Sequence, residues 1–365
     1  MSMPKKLDIT QIDENFKSEM IGDYSNLDVY SVLDPAFDLY GVSYDYDNKC
    51  FVRAPYDVAK SIAYGVEVLN TNTAGGRVRF STNSTSISII VKYRAITKMR
   101  HMPLTGSCGF TLIQNLAGNK YKYLKTYTPS FANDIETSYE DWYTYVKEFD
   151  GKYRSFTLYF PCYQDFITDV YIAFDKGAKF GKGKPYKNLK PILYYGSSVT
   201  QGGCASRPDN AYQSLIEKKT NIDFLNLGYS GNGKARKQMV DYMKTVDCSV
   251  YVCDYDHNAP TVEYLNDTHY YLYSEFRSTH KDTPIILVSA TDERDYENRL
   301  KRRDIIKQTY LKAIENGDKN VYFIDGQKVI PVSEKQNAFV DGVHPNDLGF
   351  YYIAKAILKV LKKIL

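Results

Sequence analysis

The second half of the sequence alternates short apolar segments with longer amphipathic segments, and this pattern limits the fold more than any other feature of the chain. Apolar runs of about four residues have the length of buried strands, and the segments between them have the length of helices. Strands that alternate with helices form a parallel sheet with helices on both faces. The predicted strands are 192–195, 224–227, 250–253, 285–288 and 321–324. The predicted helices are 209–219, 234–244, 261–281, 298–316 and 347–365.

The first half of the sequence has a different pattern. Its apolar residues alternate with polar ones, or form β-branched runs, over short stretches separated by Gly, Asn and Thr. Short strands are predicted at 77–80, 86–93, 156–160 and 170–174. Such strands are typical of an antiparallel sandwich or jelly roll. The Lys-, Gly- and Pro-rich segment 175–191 separates the two patterns, so we predict a β domain at 1–180 and an α/β domain at 181–365.

Composition and charge disfavour several classes of partner. The net charge of +4 comes from dispersed basic residues, which argues against a nucleic-acid partner. No apolar run approaches the roughly 20 residues of a membrane span. The first twenty residues lack the apolar core of a signal peptide, so we expect a cytoplasmic protein if Met1 is the native start. The six cysteines form no metal-binding spacing, so we expect reduced, buried thiols and no metal site.

The first predicted strand of the α/β domain is followed by a serine. In a parallel sheet, ligands bind beyond the carboxyl ends of the strands, and Ser198 follows Gly196 at such an end. A serine needs a neighbouring base to act as a nucleophile. Ser197 and Ser198 would alternatively serve only as caps of the next helix. The nucleophile pattern G-x-S-x-G is not met, because position 200 is Thr200.

The glycine-rich segment after the second predicted strand supports two interpretations. Its first glycine, Gly228, lets a backbone N–H approach a ligand oxygen closely. The segment from Gly228 to Lys234 also fits the phosphate-binding pattern G-x-x-x-x-G-K. A phosphate-binding loop would have Ser or Thr at position 235 to bind magnesium. This position is Ala235, so we favour the first interpretation.

The third predicted strand leads into the segment DYDHNAP. A calcium-binding loop would need Gly where Ala259 stands and Glu where Leu265 stands, so we exclude calcium. The side-chain amide of Asn258 can donate to an oxyanion. It can equally form a local turn that caps the next helix, and the sequence leaves both roles open.

The fourth signal is Asp341 three residues before His344, in a turn that contains Gly342. A carboxylate at this spacing can orient the imidazole and stabilise its protonated form after it takes a serine proton. The other histidines are His101 in the β domain, His257 at the third strand end, and His269 and His280 in a polar helical segment. We expect the last two to be exposed to solvent. His257 is a rival base, or it lines the site.

Taken in order, these four loops resemble the SGNH (GDSL-like) hydrolase superfamily, named for Ser, Gly, Asn and His residues in four separated blocks. The residues at the block positions are Ser198, Gly228, Asn258, Asp341 and His344. Ser197 stands where the family has Asp. The stretch 191–363 carries this resemblance. The segment AFDLYG at 36–41 resembles the GxDLY-type signature of a subgroup with an N-terminal β domain, which extends the resemblance over nearly the whole chain.

The resemblance implies a flavodoxin-like α/β domain, with a parallel five-stranded sheet between helices, preceded by a β-sandwich or jelly-roll domain. It implies a serine esterase in which Ser198 is the nucleophile, His344 the base and Asp341 the residue that orients His344. The oxyanion hole would combine the backbone N–H groups of Ser198 and Gly228 with the amide of Asn258. Such a site uses no metal and no cofactor.

The members of the subgroup are mostly regarded as carbohydrate esterases, so we expect a small acyl ester, in particular an acetyl ester, on a small molecule or an oligosaccharide. Arg207 and His257 are candidates for substrate contact, although Arg207 can instead pair with Asp209. One alternative is a carbohydrate-binding protein with a degenerate hydrolase domain, suggested by Ser197. Another is a lipase or thioesterase, which would need a large apolar cleft. A homo-oligomer is left open.

Overall fold

The protein is described by a computed structural model that covers residues 25–129, 138–144 and 152–365. Its first part is built mainly of short strands. These are β1 (Leu27–Ser31), β2 (Asp38–Tyr40), β3 (Ser43–Asp45), β4 (Cys50–Val52), β5 (Arg77–Thr82), β6 (Ser86–Tyr93), β7 (Phe110–Asn115), β8 (Tyr121–Tyr127), β9 (Ser138–Thr144), β10 (Arg154–Tyr159), β11 (Ile167–Asp175) and β12 (Phe180–Lys182). The helices of this part are α1 (Tyr56–Ile62), α2 (Tyr64–Asn70) and α3 (Leu104–Ser107).

Two antiparallel sheets share one core in this part of the chain. One sheet has the order β1-β11-β6-β9, and the other has the order β12-β5-β10-β7-β8, with β2 also paired to β5. Ile87 and Ile89 of β6 and Phe156 and Leu158 of β10 are fully buried in the common core. Residues two apart in a strand point to the same face, so this alternation places one face of each sheet inside. The predicted β-sandwich is confirmed.

The second part of the chain alternates strands and helices. Its strands are β13 (Asn188–Gly196), β14 (Ile222–Gly228), β15 (Val250–Asp254), β16 (Ile285–Val288) and β17 (Val321–Ile324). Its helices are α4 (Ser198–Gln201), α5 (Tyr212–Thr220), α6 (Lys237–Met243), α7 (Val262–Thr279), α8 (Tyr296–Glu315) and α9 (Asp347–Ile364). The strands form a parallel sheet in the order β14-β13-β15-β16-β17, which is the flavodoxin-like order and confirms the predicted fold.

Helices cover both faces of this sheet. Met239 of α6, Leu265 of α7 and Ile306 of α8 belong to the core on one face. Ile216 of α5 and Ile353 of α9 belong to the core on the other face. These five helices therefore bury apolar residues against the sheet, as their sequence periods predict.

Two predicted helices begin later than expected, for local reasons. The segment predicted from 209 begins as a separate 3₁₀ turn at Pro208–Asn210, and α5 follows it. The segment predicted from 234 begins at Lys237, because Ala235 has a positive φ of 50°, which a helix does not allow. The strands and the remaining helices lie where the alternation placed them.

Strand β14 is an edge of the parallel sheet, and the β domain covers this edge with buried arginines. Nη1 of Arg53 donates to the carbonyl oxygens of Asn226 and Gly228, at 3.0 and 2.5 Å. Nη1 of Arg77 donates to the carbonyl of Phe224 at 3.2 Å, and Nη2 pairs with Asp223. Alternate carbonyls of an edge strand point outward and need partners when buried. The two domains are therefore joined by hydrogen bonds that complete the sheet.

Two other expectations concern the whole chain. The six cysteines are free and buried, as expected for reduced thiols. Among the residues that the structure describes, no helix has both the length and the apolar character to cross a membrane.

The interdomain arginines lead to a stability prediction. Replacement of Arg77, whose side chain is fully buried, by Met should leave the Asp223 carboxylate without its cation and remove the guanidinium donor to the Phe224 carbonyl. We expect the free energy of unfolding in urea to fall by about 3–5 kcal/mol, as when one partner of a buried ion pair is removed.

The matched control is Lys182→Met, which removes the cation of an exposed ion pair with Asp38. Exposed pairs contribute little to stability, so this variant should unfold at the wild-type urea concentration. Equal stabilities for the two variants would show that Arg77 does not hold the domains together.

Candidate active site

The candidate site lies at the point of the parallel sheet where the strand order reverses. Strand β13 lies beside β15 in the sheet. Helix α5, which follows β13, packs on one face of the sheet, and α7, which follows β15, packs on the other face. Ser198 follows β13 and Asn258 follows β15, so both lie beyond carboxyl ends at this crevice. Open α/β sheets bind ligands at such a point.

The turn after β13 is so tightly packed that only glycine fits at its start. A Cβ on Gly196 would lie 1.8 Å from an oxygen of Asp254 and 2.0 Å from Oγ1 of Thr200. Oγ of Ser197 accepts a hydrogen bond from the backbone N–H of Val199 at 3.2 Å, and so caps α4. The cap therefore belongs to Ser197, and Ser198 lies in the first turn of α4 with its hydroxyl available for another partner.

Ser198, His344 and Asp341 form a chain of hydrogen bonds. Oγ of Ser198 lies 2.9 Å from Nε2 of His344. Nδ1 of His344 lies 2.7 Å from Oδ2 of Asp341. These contacts fix the imidazole with one nitrogen toward the serine and the other toward the carboxylate. The arrangement has the geometry of a nucleophile, a base and an orienting acid.

The loop that carries Asp341 and His344 holds the carboxylate by its own backbone. Oδ1 of Asp341 accepts hydrogen bonds from the N–H groups of Val343 and His344, at 3.1 and 2.8 Å. Burial raises the pKa of the Asp341 carboxyl, but these bonds and the His344 imidazole outweigh burial and hold the pKa at about 2. The carboxylate therefore stays charged at any pH near neutrality and keeps His344 in one orientation.

The amide of Asn258 is oriented by the loop after β14. Oδ1 of Asn258 accepts a hydrogen bond from the backbone N–H of Gly233 at 3.2 Å. Its Nδ2 has no acceptor among the described residues, so it remains a free donor. The backbone N–H of Ser198 is likewise free, because the first N–H groups of a helix have no partner within the helix.

Gly228 differs from what the sequence suggested. Its backbone N–H donates to Oδ1 of Asn226 at 2.9 Å, so this donor is already used. A Cβ on Gly228 would lie 2.3 Å from the backbone nitrogen of Gln201, which makes this glycine a close packing contact with α4. On the same loop, Gly231 is exposed, has a φ of 67°, and donates its N–H to no described residue.

The same loop does not have the structure of a phosphate-binding loop. The N–H of Tyr229 donates to the carbonyl of Gly196, and that of Ser230 donates to Oε1 of Gln201. The N–H of Ala235 donates to the hydroxyl of Tyr195 at 2.7 Å. A phosphate-binding loop needs such N–H groups free to surround the anion. The nucleotide interpretation is therefore disfavoured by structure as well as by sequence.

The two candidate substrate contacts both have partners within the protein. Nε of Arg207 donates to Asp209 at 3.1 Å, and its guanidinium stacks on the ring of Tyr123 at 4.1 Å. Nε2 of His257 lies 2.7 Å from Asp292, and the side chain is buried. These contacts favour the ion-pair interpretation of Arg207 and explain why His257 does not approach Ser198 as a rival base.

Two other histidines lie in places that the sequence did not indicate. His269 was expected at the surface, but it is buried in α7, and its Nδ1 bonds to Oγ1 of Thr309 at 2.8 Å. His101, from the β domain, brings its ring centroid to 5.1 Å from that of His344. The β domain therefore reaches the candidate active site, a relationship that no local pattern predicted.

A buried carboxyl lies beneath the serine. Asp254 accepts hydrogen bonds from the hydroxyls of Thr200 and Tyr212, the second at 3.0 Å. Burial raises the pKa of Asp254 to about 7, although Thr200, His257 and Tyr212 each lower it. This acid therefore takes up a proton near neutral pH, directly under the turn that carries Ser198.

Two family models match the chain. Residues 189–362 match the GDSL-like lipase/acylhydrolase family. Residues 29–180 match the GxDLY family, described as the N-terminus of esterases of the SGNH-hydrolase type. Among curated proteins no match was found.

Several solved structures share this fold over nearly the whole chain. A GDSL-like lipase from Bacteroides ovatus ATCC 8483 is 26% identical, with a TM-score of 0.82, covering 93% of this chain and 98% of that one. A salicylyl-acyltransferase from a tetracycline biosynthetic pathway is 18% identical, with a TM-score of 0.73 and coverage of 92% and 97%. An acetyl xylan esterase from Butyrivibrio proteoclasticus is 12% identical, with a TM-score of 0.59 and coverage of 93% and 98%.

The raised pKa of Asp254 leads to a prediction for stability. Between about pH 4 and pH 7 the folded protein keeps this proton while the unfolded chain loses it, so the contribution of Asp254 to wild-type stability should fall as the pH rises. Asp254→Asn has no proton to lose. Its stability relative to wild type should therefore increase over this range, by on the order of 1.4 kcal/mol per pH unit.

Urea unfolding of both proteins at intervals from pH 4 to pH 8 measures this difference. Tyr212→Phe is the matched control, because it removes a hydrogen bond to Asp254 but keeps the carboxyl, and so should keep the wild-type slope. Parallel curves for wild type and Asp254→Asn would rule out a titration of Asp254 near neutral pH.

Proposed function

Because this chain belongs to the GDSL-like lipase/acylhydrolase family through residues 189–362, with a GxDLY-type N-terminal domain, we propose that it is a serine esterase that removes small acyl groups, in particular acetyl groups, from carbohydrate esters. The observation that carries this proposal is the 2.9 Å contact between Oγ of Ser198 and Nε2 of His344, with Asp341 behind the imidazole.

In the first step, Oγ of Ser198 attacks the ester carbonyl while Nε2 of His344 takes the hydroxyl proton. A new C–O bond forms, and the carbonyl oxygen becomes an oxyanion. The tetrahedral intermediate then breaks its bond to the alcohol oxygen, which receives the proton from His344. The alcohol leaves, and the acyl group remains on Ser198. Asp341 stabilises the imidazolium between these two transfers.

In the second step, water replaces the alcohol. His344 takes a proton from the water as it attacks the acyl carbonyl, and then returns that proton to Oγ of Ser198 as the acid leaves. The low pKa of Asp341, about 2, keeps its charge constant throughout the cycle.

The oxyanion requires donors that are free before the substrate binds. We assign this role to the backbone N–H of Ser198, the Nδ2 of Asn258 and the backbone N–H of Gly231. Gly231 replaces Gly228 in the proposal, since the N–H of Gly228 already donates to Asn226. The loop that presents Gly231 also orients Asn258 through Gly233, so two of the three donors depend on one loop.

The position of an apolar cavity between α5 and α9 favours a small acyl group. This cavity of about 970 Å³ lies between α5 and α9, lined by residues such as Leu215, Leu358 and Leu361. Ser198 and His344 are not among its lining residues, so it does not offer a chamber for a long acyl chain bound to the serine. A lipase or thioesterase that acts on long chains needs such a chamber.

We infer that the exposed ring of Tyr64 binds the alcohol portion of the substrate, because its helix packs on the loop after β14. A Cβ on Gly65, at the start of α2, would lie 2.6 Å from the side chain of Asn232, so α2 packs directly on the loop after β14 that carries Gly231. The neighbouring Tyr64 is 79% exposed. Exposed tyrosine rings offer an apolar face with a polar rim, which suits a sugar. The solved acetyl xylan esterase of the same fold is consistent with a carbohydrate substrate.

The alternative of a carbohydrate-binding protein with a degenerate hydrolase domain rested on Ser197 at the family's Asp position. Ser197 has a structural task here as the cap of α4, and the hydrogen-bond chain beside it is complete. A degenerate site has no need of an oriented imidazole. We therefore favour the esterase.

The nucleophile can be tested with an aryl acetate and with a fluorophosphonate probe. Ser198→Ala should fold, lose at least ~1000-fold in kcat/KM and resist labelling. Asn258→Ala should lose roughly 100- to 1000-fold in kcat, as for the removal of one oxyanion donor. Ser197→Ala is the matched control, because it removes the neighbouring hydroxyl but keeps the nucleophile, and it should be labelled. Labelling of Ser198→Ala at the wild-type rate would exclude Ser198.

The carbohydrate can be tested at Tyr64. Tyr64→Ala should raise KM for acetylated xylo-oligosaccharides by roughly 3- to 10-fold and leave kcat unchanged, because binding common to substrate and transition state is lost. Kinetics with an aryl acetate should not change. Tyr46→Ala is the control, since Tyr46 is 76% exposed on the β domain but lies outside α2. Equal KM values for the two variants would count against a contact between Tyr64 and the sugar.

A further inference from the structure

We propose that His101, Cys204 and His344 form a binding site for a thiophilic divalent cation such as zinc, and that the bound cation switches the esterase off. One ligand atom from each of these residues lies within 4.8 Å of the other two. Two imidazoles and a thiol are a common donor set for zinc. The inhibitory consequence rests on the proposed function of His344, but the cation site itself does not.

The three residues come from separate parts of the chain and are held together. Cys204 lies just after α4, with a φ of 71° and a buried side chain, and its Sγ donates to the backbone carbonyl of His101 at 3.3 Å. His101 is half-buried, and its ring forms no hydrogen bond with the residues that the structure describes. The ring of His101 is therefore a possible metal ligand close to a thiol and a second imidazole, and the hydrolytic steps do not use it.

His344 has the orientation of a metal-binding histidine. Its Nδ1 bonds to the Asp341 carboxylate at 2.7 Å, which leaves Nε2 as the atom that can bind a cation. A carboxylate behind a histidine is the usual support of a zinc ligand. The same Nε2 is the atom that bonds to Oγ of Ser198. A cation on this nitrogen would therefore remove the base from the serine.

The separations match a tetrahedral ion after a small movement. Zinc bonds of about 2.0–2.3 Å place tetrahedral ligand atoms about 3.3–3.7 Å apart, so the cluster must contract by about 1 Å. His101 lies outside the helices and strands, where such a movement is easiest. Water would occupy the fourth position.

The chemistry of Cys204 selects the kind of cation. The thiol of Cys204 supplies a soft sulfur ligand, and a cation that binds it displaces the thiol proton. Ions that form strong bonds to thiolate, such as Zn²⁺, Cd²⁺ and Co²⁺, can do this. Ca²⁺ and Mg²⁺ prefer oxygen ligands and should have no effect.

Binding is tested with Co²⁺ on the full chain after treatment with a chelator. Wild type should bind one Co²⁺ and show the near-ultraviolet absorption of a thiolate–cobalt bond. Cys204→Ser should lose this absorption, and His101→Gln should bind at least tenfold more weakly. Ser198→Ala should bind like wild type. Absence of the absorption in wild type would overturn the site. So would Cys204→Ser and His101→Gln variants that bind Co²⁺ with the wild-type affinity.

Inhibition is tested with Zn²⁺ and an aryl acetate. Wild type should be inhibited and should recover on addition of a chelator, while Mg²⁺ has no effect. Cys204→Ser and His101→Gln should remain active and need at least tenfold more Zn²⁺. Equal inhibition of all three proteins would overturn the switch. If the chain shows the cobalt signal but hydrolyses no ester without metal, the proposed function fails and the cation site stands.

Discussion

The open edge of strand β14 is the constraint on which the rest of this structure depends. An edge strand with unpaired carbonyls invites association with other chains. Here Arg53 and Arg77 of the β domain cover this edge. Their guanidinium groups donate hydrogen bonds to the carbonyls of Phe224, Asn226 and Gly228. Because a buried guanidinium group is costly without hydrogen-bond partners, these contacts hold the β domain against the edge of the sheet.

That position also determines the geometry of the site. The loop after β14 follows directly from the carbonyls that Arg53 binds, and it carries Gly231 and the contact of Gly233 with Asn258. Gln201 of α4 donates to Asn72 of the β domain at 2.8 Å and accepts from the N–H of Ser230. The helix that bears Ser198 is thus held by both domains. A small shift of the interface would move the donors relative to the serine, and catalytic geometry tolerates little displacement.

The fold and the order of the site loops were open to prediction because they depend on local periodicity and on the topology of parallel sheets. Short apolar runs followed by helical segments fix β13 to β17, and a flavodoxin-like order brings the loops after β13 and β15 together. The spacing of Asp341 and His344 was informative because a turn of this length brings the two side chains into contact. The bond from the N–H of Gly228 to Asn226 was not open to prediction, since a glycine-rich loop has several N–H groups and the sequence does not say which are already bonded.

The sequence by itself determined the two architectures, the parallel sheet and the serine, histidine and aspartate that meet at its edge, because these follow from patterns within short segments. Only the tertiary structure decided that Arg77 and Arg79 of the strand RVRF are buried rather than solvated, and that His101 lies beside His344. The physical reason is that strand periodicity separates two faces but does not identify what covers each face. That depends on contacts between residues far apart in the chain.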